Sequence, residues 1–315
     1  MKQGRHERTG FSLVELLAAI SLLAILAFLL GSVFASVSSA WSTGHGKAGQ
    51  LLSGRTVLET MTQRLSQATL SVQTEFIFDE NSPHVPQSFG RNSELFFQIG
   101  APSGLQAPLN DNASGNAALF FAPTGETGLQ EISAYRSLMN LCGFFVTFGP
   151  GPIGEEGVAP RDRFRLWEIV LPAEELPVAD PEGAEGNRWE ELNLSNYSRV
   201  VAENVPLLVL VPQGLPPSEL AANSDGVVFD SREFDHQLPP RMRIIFFTIS
   251  EESAKRIESL GETESLVPQG IFSQLDEETI EAELQTLREH LDKFPGQIDY
   301  RIFDGVVPLP VSELR

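Results

Sequence analysis

The sequence predicts an α+β fold: a long N-terminal helix, transmembrane in its first half, packed through its second half on a mainly antiparallel, β-rich globular head. Three observations carry this. Residues 11–30, "FSLVELLAAISLLAILAFLL", are apolar except for Ser12, Glu15 and Ser21, and no proline appears before Pro83. Leu51, Leu58, Met61 and Leu65 then recur at helical spacing. Beyond residue 70 the pattern becomes short runs of Phe and β-branched residues, punctuated by Gly, Pro, Asn and Asp.

In chain order, the polar start carries Lys2, Arg5 and Arg8 against Glu7. A helix from about residue 11 to about residue 70 would be about 90 Å long. Gly44, Gly46, Gly49 and Gly54 each cost about 1 kcal/mol relative to alanine, and predict loosening or bending. Strands are expected at 94–99, 117–123, 142–148, 164–171, 199–205, 207–212, 241–250 and 297–303. A helix over 250–260 takes Ser250 as N-cap, with Ser253 where a capping box would have Glu. A second helix, 276–294, has Asp276 as cap, Lys293 in its last turn and Pro295-Gly296 as its stop. Its stripe of Ile280, Leu284, Leu287 and Leu291 is expected to pack on the sheet.

The net charge is −20 over 315 residues, so a short basic tip leads into an acidic body. That balance argues against a nucleic-acid partner, which Lys and Arg would have to neutralise. The one cysteine, Cys142, allows no internal disulfide and reads as a small buried hydrophobe.

No catalytic constellation stands out. His6, His45, His84, His236 and His290 form no metal-ligand motif, and neither a GxSxG elbow nor a Walker loop occurs. No catalytic residue, no metal and no cofactor is therefore expected. Ser231 beside Asp235-His236 reads as a solvated turn. Asn110, Asp111, Asn112 and Asn116, like Asp225 and Asp230, offer oxygen ligands for calcium, but match no EF-hand loop and suit ordinary turns. Arg161, Arg163 and Arg165 alternate with Asp162, Phe164 and Leu166, and read as the exposed face of a strand.

Glu15 is the residue that a plain anchor does not explain. A carboxylate at the centre of a membrane helix costs roughly 3 kcal/mol or more. A secretory signal peptide, with "SSA" at 38–40 as its small-residue site, and a simple signal anchor both leave it without a role. "TGFSLVELL" resembles the cleavage-and-methylation signature of type IV prepilins and type II secretion pseudopilins. That resemblance implies cleavage between Gly10 and Phe11 by a prepilin peptidase/methyltransferase, N-methylation of Phe11, and assembly through Glu15, the fifth mature residue, which meets an N-terminal amine in the filament. Across the head, "LMNLCGFFVTFG", "VVAENVPLLVLVP", "LPPRMRIIFFTISEESAKRI" and "IDYRIFDGVVPL" occur in an order similar to that of the Verru_Chthon cassette protein C family. The layout is more distantly similar to the minor pseudopilin J of type II secretion.

The resemblance implies a pilin-like fold divided into a leader peptide (1–10), a transmembrane and assembly segment (11–40), the amphipathic half of the helix (41–70) and an extracytoplasmic head (71–315). It implies a non-enzymatic minor pilin or pseudopilin in a type IV pilus or type II secretion-like pseudopilus. Its partners would be other subunits and the inner membrane, crossed once with the N-terminus cytoplasmic and the head periplasmic or extracellular. The competing reading is an adhesin-like binding domain or an enzyme, singly anchored and reusing a prepilin signal.

Overall fold

The computed structural model describes residues 12–79, 82–105, 109, 115–128, 137–150, 161–176, 192–215, 226–261, 266–268, 271–272, 277–295 and 297–310. The chain divides into two units between Gly49 and Gln50. One helix, α1 (Leu13–Leu65), enters both. It runs unbroken through all four glycines at which the sequence predicts loosening or bending. In its first part, the residues from 12 to 41 are all exposed.

Among the described residues, the second unit holds the end of α1 and three antiparallel sheets. A two-stranded hairpin pairs β1 (Gln73–Asp79) with β2 (Ser82–Asn92). The sequence patterning missed this hairpin because Pro83 and Pro86 interrupt it; Pro86 sits opposite Phe78 where the register shifts, as strand prolines do. Next come β3 (Phe97–Gly100), β4 (Ala117–Ala122), β5 (Asn140–Gly149), β6 (Arg163–Leu171), β7 (Ser198–Glu203), β8 (Leu207–Gln213), β9 (Val227–Asp230) and β10 (Arg241–Ile249). Helices α2 (Glu251–Leu260) and α3 (Glu277–Asp292) precede the last strand, β11 (Tyr300–Pro308). Six strands form one sheet in the order β7-β6-β5-β4-β3-β9, and three form another in the order β11-β10-β8.

Period-2 alternation sorts the side chains. On β10, Met242, Ile244 and Phe246 enter a core shared with α1, while Ile245, Phe247 and Ile249 face the helical layer. On β4, Ala118, Phe120 and Ala122 join the shared core, and Ala117, Leu119 and Phe121 lie in a third cluster on the other face. Val57, Met61 and Leu65, spaced at i, i+4 and i+8, bring α1 into the shared core. Gly54 has a steric reason: a Cβ there would come within 2.0 Å of the Phe303 ring. The stripe Ile280, Leu284, Leu287 and Leu291 of α3 is buried against the three-stranded sheet with Val209, Ile245 and Phe247.

Helix α2 starts as expected: the Ser250 hydroxyl accepts the Ser253 N–H, and Gly261 closes the helix at φ 70°. The Ser250 N–H, which a capping-box Glu would accept, donates instead to the Asp299 carbonyl at 3.0 Å, while the Ser253 hydroxyl accepts the Asp299 N–H at 2.8 Å. That bond and the positive φ of Gln297 delay the last strand to Tyr300, later than the expected 297. The proposed cap Asp276 lies outside the described residues.

Candidate functional site

The site begins where α1 begins. Ser12 is the last residue before the helix, and the Leu16 N–H donates the first intrahelical bond to its carbonyl at 3.1 Å. The Glu15 N–H donates to Ser12 Oγ at 3.3 Å, and the Ser12 N–H donates to Glu15 Oε2 at 3.1 Å. This is a reciprocal capping box, which satisfies two orphan donors of the helix end at once. It also places a negative charge in the first turn, where the helix dipole favours it. The S-x-x-E spacing ahead of an apolar run is its sequence signal; the patterning above treats Ser12 only as an exception to hydrophobicity. The other polar side chains of the apolar stretch bond within the helix: Ser21 donates to the Leu17 carbonyl, and Ser32 to Leu29 at 2.8 Å. Gly10 and Phe11 lie outside the described residues.

The head offers polar clusters that sequence patterning did not find. Glu168 stands between Leu166 and Val170 on the core-facing side of β6 and is 1% exposed. Arg64 of α1 reaches it at 2.7 Å through Nε, and Arg199 of β7 reaches its other oxygen at 2.8 Å. The Arg64 guanidinium also meets Glu126 at 3.1 Å. Asn140 pins the loop that carries Glu126, accepting its N–H and donating to its carbonyl. A buried carboxylate is tolerated here because two guanidinium groups compensate it. Cys142, in the same core, is fully buried, and burial pushes its thiol up to about 12.

The arginine trio corrects an expectation. Arg161 is exposed, but Arg163 and Arg165 are each 5% exposed. Arg163 pairs with Glu258 at 2.9 Å and Glu251 at 3.1 Å, both from α2. Arg165 pairs with its cross-strand partner Glu203 at 3.0 Å and donates to the Gly149 carbonyl. The alternation was real, but acidic side chains from neighbouring elements cover that face. Long arginine stems lie on apolar surface while their heads find partners.

The stretch read as a solvated turn is solvated only in part: Asp235 is exposed and His236 half-buried, but Ser231 is drawn into the core. Ser231 is buried and its hydroxyl accepts the Phe97 N–H at 2.9 Å, while Asp235 and His236 occupy a left-handed turn at φ 52° and 49°. Of the residues that offer oxygen ligands but were read as turns, Asn116 clasps Leu210 through both its amide atoms. Asp230 is held by Gln98 and Arg232, and although burial works the other way, those bonds keep its carboxyl below the usual range. Asn110, Asp111, Asn112 and Asp225 lie outside the described residues. Among the described residues, no group of three or more His, Cys, Asp or Glu gathers in a way that could hold a metal ion.

Residues 5–31 match the family model described as the prokaryotic N-terminal methylation motif. No curated protein and no solved structure matches the chain. The match spans the Gly10-Phe11 junction, Ser12 and Glu15. The chain thus carries a prepilin-type signal on a pilin-like α+β fold, a long apolar helix followed by an antiparallel β-rich head. Such a signal implies processing by a prepilin peptidase. Among the described residues, α1 is the one helix long and apolar enough to cross a membrane, and together with the signal it suggests inner-membrane anchoring.

Proposed function

We propose that this chain is a structural, non-enzymatic minor pilin or pseudopilin. It is cut between Gly10 and Phe11, methylated on the Phe11 amine, and assembled through Glu15 into a type IV pilus or type II secretion-like pseudopilus. The observation that carries this reading is Glu15 itself, an acid in the first turn of an apolar helix and inside the matched signal. In lipid a lone carboxylate seeks a cation, and in low dielectric a neighbour's amine couples to it strongly. The charge then disfavours the isolated subunit and sets register in the assembly.

In this reading residues 1–10 are the leader, 11–40 the membrane and assembly segment, 41–70 the amphipathic half of the helix and 71–315 the head. Lys2, Arg5 and Arg8 hold the leader in the cytoplasm, so the head is periplasmic or, in a filament, extracellular. Membership of the Verru_Chthon cassette protein C family belongs to the same proposal, supported by the order of the head motifs.

N-terminal mass spectrometry of the membrane-extracted protein should find a methylated Phe11 at the start. An intact Met1 or a start after Ala40 overturns the processing. Glu15→Gln should still reach the membrane and be cleaved, but lose cross-linking to neighbouring subunits. A variant that cross-links as the parent does, or one that fails to reach the membrane, overturns the role given to Glu15; a parent chain that yields no adducts with other subunits favours a singly anchored binding or enzymatic head.

A further inference from the structure

We propose that Ser12 is a positioning residue for Glu15, fixing its carboxylate at the amino end of α1 before a second subunit arrives. The proposal rests on the reading of Glu15 as the assembly residue. Its own observation is the pair of reciprocal bonds, Glu15 N–H to Ser12 Oγ at 3.3 Å and Ser12 N–H to Glu15 Oε2 at 3.1 Å. A glutamate side chain samples many rotamers, and an amine that docks to it must stop that motion. The box stops it in advance, which is how preorganisation raises affinity. An ionised carboxylate accepts about four hydrogen bonds, and the Ser12 N–H uses one of them, so acceptor capacity remains for an incoming amine.

The box also acts on the membrane side of the problem. The helix-end N–H groups at residues 12 and 15 would be orphans in hydrocarbon. Each finds its partner in the other residue's side chain. The carboxylate therefore enters the bilayer already holding one donor. After cleavage at Gly10-Phe11 the new amine belongs to the residue that immediately precedes Ser12 in sequence.

The test uses the full-length chain, processed in its own membranes, and reads the yield of cross-linked adducts that contain it. N-terminal mass spectrometry and membrane fractionation serve as controls. Ser12→Ala removes the hydroxyl leg and should lower the yield about three- to tenfold, the range expected for loss of an N-cap. Ser12→Thr keeps the hydroxyl and should restore the parent's yield. Ser12→Ala combined with Glu15→Gln should be no worse than Glu15→Gln alone, because Ser12 acts through Glu15. If Glu15→Gln loses its adducts while Ser12→Ala keeps the parent's yield, the positioning role is wrong and the reading of Glu15 stands. An additive double variant, or Ser12→Ala protein that is no longer cleaved, also overturns the positioning role. Normal adducts from Glu15→Gln overturn the reading of Glu15 as the assembly residue on which the positioning role rests.

Discussion

The two parts of α1 are one helix folded for two environments. From Leu13 to Gly49 every side chain with a described exposure is exposed, including Leu16, Leu23, Phe28 and Phe34. From Gln50 to Leu65 the helix meets its own head: Val57, Met61 and Leu65 are fully buried, and Gly54 admits the Phe303 ring. The backbone pattern is the same throughout, so helicity does not separate the parts. What separates them is where the apolar surface goes. The second part finds partners within the chain. The first part exposes more contiguous apolar surface than a soluble monomer tolerates, and so needs a bilayer, other helices or both.

That contrast can be broken at its strongest point. Met61→Ala removes a fully buried side chain from the shared core and should destabilise the head by about 3 kcal/mol. Urea unfolding of the detergent-solubilised protein measures it, with Cys142 as reporter. The thiol is fully buried and its ionisation is pushed up to about 12, so it should label only when the head opens. A loss below about 0.5 kcal/mol would mean that α1 does not anchor this core.

How much of this was legible depends on whether a signal is local. The α3 stripe and the strand β10 were legible because each signal lies within one segment, a helical spacing in the first and a run of Ile and Phe in the second. The hairpin β1–β2 was not, because its prolines imitate loop composition. The short strand β9 was read only as a source of oxygen ligands, although Asp230 is held there by Gln98 and Arg232. Arg163 and Arg165 were misread because their acidic partners come from α2 and β7, distant in sequence. At the N-terminus, Glu15 was legible as an anomaly. Ser12 was equally legible through the S-x-x-E spacing, but hydropathy hid it.

A smaller effect sharpens the comparison from the polar side. Glu168→Gln removes the buried charge that holds Arg64 and Arg199, and should cost about 2 kcal/mol. The loss stays below that of Met61→Ala for two reasons: Arg64 keeps Glu126, and Arg199 is more than half exposed and finds water. The same urea and labelling measurement applies. A loss larger than that of Met61→Ala would make the ion cluster, rather than apolar packing, the main tie of α1 to its sheet.

The smallest expected effect lies in the first part of the helix. Leu23 is 69% exposed, so Leu23→Ala deletes no contact within the head. Head stability in detergent should therefore change by less than about 0.5 kcal/mol. Membrane fractionation should not change either, because leucine and alanine differ little on insertion scales and the run 11–30 stays long enough to span. Any consequence should appear only between molecules, as fewer cross-linked adducts if Leu23 packs against a neighbouring helix. A head destabilised as much as by Met61→Ala would erase the distinction between the two parts. Unchanged head stability with fewer adducts would place the unmet apolar surface of α1 in contact with other subunits, and unchanged values on both counts would leave Leu23 facing lipid.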